Sequence, residues 1–467
     1  MKLLRRALGA SFSLLLCAGA ARAQGEDARV LPRGYVAFTA GGEYTIFDSR
    51  TGGAQGGSLG APFAAAFPPS SFAALGAARD SLARFFARTN RPGESFALGA
   101  EDVLPGTLDV GLSAQRSRAP LSLQAGIASR LNLRVTVPIE QSQTELTGAR
   151  IRGGSIGFNP TATRDTLSKL LARIDTSLAR LARQEYLPLA GSRAGQEIQA
   201  RYARATGRAD TLPLPTRGLS PAELNGLLRG AGRDTLGFRR TTLRDWRLGD
   251  VEVAAKLQLA GAPTGELSPG LTGTRVAVEA GVLLPTAQEV GRDTTLGVVR
   301  EAGHAGATGA VFADFAMGRR VWVGTYVRYT HLLARDVERY TWDPARPFAP
   351  VDDVVTVQRE PGARLEAVLS PRFQVTDQLA LSALYAFGRA GETTYGGEIE
   401  EGAALAGLES TDARSAQSLG LGMSYSTLGA FAAGRASIPL EVALDYGTVL
   451  AGSGGAEDAS TVRLSAR

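Results

Sequence analysis

The feature that most constrains this chain is a period of two. In "RLNLRVTVPIEQ" (130–141), Leu131, Leu133, Val135, Val137 and Ile139 alternate with Asn132, Arg134, Thr136, Pro138 and Glu140. Successive side chains of a strand point to opposite faces, so this segment has one apolar face and one charged face. The pattern recurs in "YVAFTAGGEYTIF" (35–47), "GDVEVAAKLQL" (249–259), "TRVAVEAGVLL" (274–284), "RVWVGTYVRYTHL" (320–332), "QLALSALYAF" (378–387), "QSLGLGMSYST" and "SIPLEVALDYG". Alternation over about ten residues per segment marks a transmembrane β-barrel, with one face of each strand in lipid and the other in a lumen.

A soluble sandwich can alternate in the same way, so the joints decide. Tight joints fall at 128–130, 317–320, 375–378 and in the Gly/Ala stretch around 428–434; long ones fall at 50–106, 146–247, 287–303, 342–352 and 398–410. The two kinds alternate along the chain, apart from a medium joint at 261–273. Outer-membrane barrels sort short periplasmic turns from long external loops in this way, whereas a sandwich has no reason to. The expectation is an all-β, antiparallel, up-and-down transmembrane barrel of twelve strands, with fourteen as the alternative count. The strands are placed at 34–47, 107–127, 131–144, 249–260, 274–286, 304–317, 320–341, 353–374, 379–396, 411–427, 435–450 and 458–467. One strand loses phase: Leu108, Val110 and Leu112 take even positions, then Leu121, Leu123 and Ile127 take odd ones. A β-bulge between Arg116 and Pro120 would produce that slip.

The first residues set the compartment. "MKLLRR", the apolar "ALGASFSLLLCAGA" and the small residues Ala21 and Ala23 read as a secretory signal (1–23) cleaved near Ala23, leaving 24–467 as the barrel. Cleavage removes Lys2, Arg5, Arg6 and Arg22, so basic residues fall from 51 to 47 against 45 acids and the net charge is +2 rather than +6. Nucleic acid is therefore not an expected partner. Cys17, the only cysteine, leaves with the signal, which rules out disulfide chemistry in the exported chain. Beyond the signal no apolar run approaches the roughly 18 residues of a membrane-spanning helix.

Two external loops carry helical pattern. In 165–184 the apolar set Leu167, Leu170, Leu171, Ile174, Leu178 and Leu181 forms a single stripe, the expected apolar docking face. "SPAELNGLLRGAG" (220–232) opens with Ser220 and Pro221 and closes a capping box with Glu223. Phe72, Leu75, Leu82 and Phe85 make a weaker stripe in the first loop.

Alternation assigns Glu43, Arg134, Glu140, Asp250, Glu252, Lys256, Arg275, Glu279, Asp314, Arg328, Arg364, Glu366, Arg372, Glu441 and Asp445 to the lumen, where they line either a solute path or a self-plugged interior. Both signs interleave, so cross-strand ion pairs are expected rather than a single-sign selectivity ring. Ser382, Ala386, Gly388, Gly420, Gly422 and Ser424 form a small, uncharged stretch of inner wall, with room for a ligand or an inward-folded loop. Trp246, Trp322, Trp342, Tyr340, Tyr35, Tyr44 and Tyr446 fall near strand ends, as an interfacial girdle requires.

Catalysis finds little support. His304 lies in a loop, His331 points outward by parity, and Asp352–Asp353 has no accompanying Asp-x-His. "GGEIEEG" (396–402) reads as a solvated loop rather than a calcium site. No metal or cofactor is expected.

"GIASRLNLRVTVPIEQ", "LGDVEVAAKLQL", "VAVEAGVLLPTA" and "FQVTDQLALSALYAF" resemble outer-membrane barrels of the phenol-degradation meta-pathway and the long-chain fatty-acid and aromatic-hydrocarbon transporter type. The resemblance implies passive uptake or diffusion of small hydrophobic or amphipathic solutes through the bacterial outer membrane. Its implied partners are outer-membrane lipid and lipopolysaccharide, a small-molecule solute and, after Sec-type export, the barrel-assembly machinery. Fatty-acid transporters carry an N-terminal hatch. Here the first strand begins about ten residues after the cleavage site, so no hatch is expected. A structural or surface-interaction barrel with a closed lumen is the alternative role, and a barrel-embedded hydrolase the weakest.

Overall fold

The computed structural model describes residues 27–52, 56–61, 73–93, 95–207, 211–220, 222–224, 242–261, 273–287, 303–318, 320–342, 354–396, 404–405 and 412–467. The signal segment, Phe72, Asp352–Asp353 and most of the helix expected at 220–232 lie outside these residues. Twelve strands build the barrel: β1 (Val36–Thr51), β2 (Thr107–Ala128), β3 (Leu131–Arg152), β4 (Val251–Ala260), β5 (Gly273–Leu284), β6 (Gly306–Met317), β7 (Val321–Leu332), β8 (Arg364–Gln374), β9 (Leu379–Ala390), β10 (Arg414–Ser426), β11 (Glu441–Ser453) and β12 (Ala456–Ala466). Each pairs antiparallel with its sequence neighbours, and β1 closes the ring by pairing with both β2 and β12. Closure leaves no sheet edge in hydrocarbon, where an unpaired backbone group costs several kcal/mol.

The alternation resolves as expected. Phe38, Leu123, Leu133, Val282, Val311, Leu369, Leu421 and Val462 are exposed on the outer face, Leu421 by 69%. Thr136, Glu252, Arg275, Glu279, Arg328 and Asp445 are buried on the inner face. The start of β1, the end of β12 and the short joints share one end, which the loop-length rule makes periplasmic.

The bulge expected between Arg116 and Pro120 is not there. The β1–β2 ladder keeps one register from Ala125 to Ala114, and the β2–β3 ladder shifts elsewhere, at Gly111/Leu112 and Gly126/Ala128. Leu112 and Ala114 face inward. Their apolar character reflects what fills the outer mouth, a helical cap built from the first two long loops.

The cap contains α1 (Ala73–Thr89), α2 (Thr161–Leu171), α3 (Thr176–Ala182) and α4 (Arg193–Thr206). Leu75, Leu82, Phe85 and Phe86 of α1, Leu167 and Leu171 of α2, Leu178 and Leu181 of α3, and Ile198 and Tyr202 of α4 form one core. That core continues onto Phe47, Leu112, Ala114 and Ala459 of the barrel wall. The single helix expected over 165–184 is two. The chain turns at 172–175, and the Asp175 carboxylate caps α3 by accepting from the backbone N–H of Ser177 (2.6 Å) and Leu178 (3.3 Å). The turn rotates the stripe, so Leu170 (57% exposed) and Ile174 (44% exposed) point away while the other four leucines are consumed by the cap core. The expected six-residue docking face therefore does not exist as one surface. The capping box at Ser220 does form, with the Ser220 N–H donating to Glu223 at 2.7 Å and the Glu223 N–H to the Ser220 hydroxyl at 3.3 Å.

α4 had no expectation attached to it. Ser192 caps it, and its buried face is short, Ala194, Ile198 and Tyr202, with Arg201 among them. Arg201 spends its guanidinium on the Phe86 carbonyl (3.1 Å), the Asn90 side chain (2.7 Å), Thr89 and Glu197 (2.7 Å), locking α4 to the end of α1. Leu82→Ala should cost the cap about 2–5 kcal/mol. Backbone exchange in α1 to α4 should accelerate while β4 to β10 hold their protection; unchanged exchange in α2 to α4 would show that the cap is not one cooperative unit.

β7, β8 and β9 continue past the membrane after breaks at 333–334, 361–363 and 391–393. Beyond the breaks, Arg335–Trp342, Val354–Glu360 and Thr394–Gly396 pair in the same register as the strands below them, forming a crown. The strands expected as 320–341, 353–374 and 379–396 are thus each interrupted near the outer surface.

Candidate functional site

The lumen holds something the sequence did not announce. The backbone reverses at Pro32–Tyr35, where Tyr35 N–H donates to the Pro32 carbonyl (3.1 Å) and Gly34 takes a φ of 80°. That left-handed value suits glycine at the third position of such a turn. Residues 27–31 therefore run back inside the barrel instead of away from it, with Ala28 and Val30 buried. With only about ten residues between the cleavage site and the first strand, no segment inside the lumen is expected from the sequence, yet these residues lie there. The segment reaches across the lumen to β4, β6 and β11.

Wall and segment are joined by specific groups. The Ala28 N–H donates to the Asp314 carboxylate (3.0 Å) on β6, and Lys256 of β4 donates to the Asp27 carbonyl. Arg29 pairs with Asp27 and reaches Glu441 of β11 at 3.5 Å. Its guanidinium also lies 5.7 Å from the Trp322 ring, with Arg372 at 5.6 Å from the same ring. Trp322 thus faces the lumen between two arginines and is not part of an interfacial girdle. Its parity with Arg328 on the same strand already placed it inside. Trp246, Tyr35, Tyr44 and Tyr446 are exposed on the outside, and the side chains of Tyr340 and Trp342 are outside the described residues.

Most of the charged inner wall is internally paired. Glu279 accepts from Arg134 (2.8 Å) and Arg328 (3.3 Å), and Arg134 also reaches Glu252 (3.0 Å). Glu43 pairs with Arg463 (3.3 Å), Glu140 with Arg118 (3.1 Å) and Glu441 with Arg372 (3.8 Å), while Glu366 accepts from the Tyr326 hydroxyl (2.8 Å). Arg275 and Asp445 are buried on the same face, and Arg364 stands at its outer end. Asp250 departs from its expected place. It sits at the outer rim, accepting from the N–H of Ala287 (3.0 Å) and Gly303 (2.7 Å).

At mid-height the inner wall changes character. Ala277, Ala310, Phe312, Tyr326, Val368 and Leu384 form an apolar patch across β5 to β9, with Ala386 against it, and Ala28 of the inward segment covers it. Lys256 stands at its edge, its ammonium 3.7 Å from the centre of the Phe312 ring. The cation–π contact and the hydrogen bond to Asp27 hold this lysine with its charge satisfied. The inner stretch with Ser382, Gly420, Gly422 and Ser424 flanks the patch, Ala386 belongs to both, and Leu384 stands opposite Gly420. Reading only charges on the inner face left this patch out, although every one of its residues shares parity with a lumen group on its own strand or lies within the small-residue stretch.

The histidines do not make a catalytic centre. His304 is buried with both ring nitrogens engaged, by the Leu333 carbonyl and by Arg359, and His331 is exposed on the outer face. Among the described residues no group of three His, Cys, Asp or Glu side chains could hold a metal ion.

The closed antiparallel ladder, the outward apolar band and the paired charges within define a transmembrane β-barrel of the outer-membrane kind. Among solved structures it is similar to an outer-membrane channel from Pseudomonas putida F1, at 11% identity over 94% of this chain and 98% of that one, with a TM-score of 0.41. It is also similar to the toluene transporter TodX of Pseudomonas putida (9% identity, 78% and 70% coverage, TM-score 0.28). A Pseudomonas aeruginosa FadL homologue is similar at 10% identity, 92% and 89% coverage and a TM-score of 0.29. No protein-family model and no curated protein matches the chain.

Proposed function

We propose that this barrel passes small hydrophobic or amphipathic solutes inward by diffusion, with residues 27–31 occupying the path until a solute displaces them. The observation that carries this reading is the apolar patch around Phe312 and Leu384, which Ala28 covers within a lumen otherwise lined by paired charges. An apolar wall inside a polar conduit is suited to hold a greasy solute partway. The covering segment is tied down by a handful of polar links rather than by a large core, so its exchange for a solute is inexpensive. The lumen-facing set from Glu43 to Asp445 then keeps the conduit soluble and shaped, and Lys256 and Asp314 act as the segment's anchors.

Trp322 supplies the test, because it sits beside Arg29 of the segment. In a Trp246→Phe, Trp342→Phe background Trp322 is the one tryptophan left. Titration with decanoate or toluene should change its emission saturably, and Phe312→Asp should abolish the change. If neither solute alters Trp322 in the folded barrel, solute exchange at the patch is wrong. A closed structural barrel is the second reading, favoured by the cap core that fills part of the outer mouth. It predicts a silent Trp322 and no solute-dependent flux.

A further inference from the structure

We propose that His304 is an acid-labile clasp between the barrel rim and the crown, releasing the crown when its imidazole takes up a proton. The clasp is built from four strands. Gly303 and His304 lie just ahead of β6, Asp250 just ahead of β4, and Arg335 and Arg359 in the two crown strands that continue β7 and β8. Asp250 fixes the Gly303 N–H at 2.7 Å, Arg335 donates to the Gly303 carbonyl at 2.6 Å, and the Leu333 carbonyl lies 3.0 Å from His304 Nδ1. His304 Nε2 meets Arg359 Nη1 at 2.8 Å. A carbonyl only accepts and a guanidinium only donates. The ring must therefore be neutral, with its proton on Nδ1 and a lone pair toward Arg359. His304 and Arg359 are both essentially solvent-free.

The surroundings make protonation costly. Arg335 and Arg359 are direct cross-strand partners in the crown ladder. Like charges facing each other in that position repel. Arg359 donates to the neutral ring and Arg335 to the Gly303 carbonyl, so each guanidinium holds a different group of the rim. A proton on Nε2 would put a third cation between them and turn an acceptor into a donor aimed at a donor. Among the described residues, Asp250 is the acid that acts on the imidazole. It is already engaged by two backbone N–H groups. Burial, then Arg359 and Arg335, hold the imidazole below its ordinary value against the pull of the Leu333 carbonyl and Asp250. Gly303 is part of the device: its φ is 82°, and a Cβ there would meet Arg335 Nη1 at 1.9 Å.

The sign follows from that depression. A folded-state pKa below the unfolded one gives stability that is complete above about pH 6.5 and lost as pH falls through the folded value. The crown should hold at neutral pH and loosen in acid, while the barrel below it stays closed.

Amide exchange in detergent-solubilised full-length protein, corrected for intrinsic rates, tests this directly. Between pH 7.5 and pH 5 the amides of 335–342 and 354–360 should lose protection by about tenfold, the equivalent of roughly 1.4 kcal/mol, and those of β4 to β6 should not. His304→Gln keeps an acceptor for Arg359 and a donor for Leu333 without titrating, so its crown should stay protected at both pH values. His304→Ala should be unprotected at both. The chain has two histidines, so a His331→Asn background leaves a single imidazole resonance whose titration must track the loss. If wild type and His304→Gln loosen together, or wild type does not loosen while the resonance titrates, the clasp is refuted.

Discussion

A barrel lacking residues 27–31, with 24–26 and the signal retained, is expected to conduct several-fold more in planar bilayers than the full chain. The segment rises from the periplasmic end to mid-height and touches β4, β6 and β11 through Lys256, Asp314 and Glu441. Its removal takes away the Ala28 cover of the apolar patch and frees the two anchors to water. Lys256→Met should act in the same direction but less strongly, because it removes the hydrogen bond to the Asp27 carbonyl and leaves Asp314 in place. Heat-modifiable migration on gels shows whether each variant is folded. Equal conductance in folded full-length and shortened barrels would show that the segment obstructs nothing, leaving the cap as the closure.

Glu279→Leu should destabilise the barrel by about 3–5 kcal/mol, because it takes an acceptor from buried Arg328 and half-buried Arg134. Glu279 is the bridge between Arg134 on β3 and Arg328 on β7, and both it and Arg328 are buried. Taking a charge out of water is costly unless a partner compensates it, and Glu279 is an acceptor that Arg328 and Arg134 share, although Arg134 keeps Glu252. Glu279→Gln should cost less, since its carbonyl still accepts. Combining Glu279→Leu with Arg134→Leu, Arg328→Met and Glu252→Leu should recover much of the loss, because Glu252 would otherwise lose Arg134, and apolar replacements of whole buried ion clusters are often neutral or stabilising. Urea unfolding in lipid vesicles measures all three. A loss below about 1 kcal/mol for Glu279→Leu would place the network in bulk-like water, where an exposed pair is worth little.

The barrel itself was legible because period two is a local property. Each strand declares its two faces without knowing its neighbours, and loop length declares which end is which. Twelve strands, their order and, Asp250 apart, the inward charges followed from those rules. The failures share one cause. Parity says which side chains face inward but not what they meet there. Leu112 and Ala114 looked out of phase because apolar was equated with lipid, whereas they meet the cap. Trp322 was taken for a girdle residue although its parity put it beside Arg372. Leu170 and Ile174 were joined to a stripe that the Asp175 cap cuts.

"LPRGY" (31–35) carried the turn chemistry that sends the chain back into the lumen, but a turn does not say on which side of the wall its exit lies. Alternation along the chain by itself determined the strands and their two faces, because these depend on neighbours one and two residues away. Only the tertiary structure decided what occupies the interior: the inward segment over the Phe312 patch, the cap in the mouth and the His304 clasp at the rim. Each of these joins residues far apart in the chain, whose meeting depends on closure of the ring and on no local pattern.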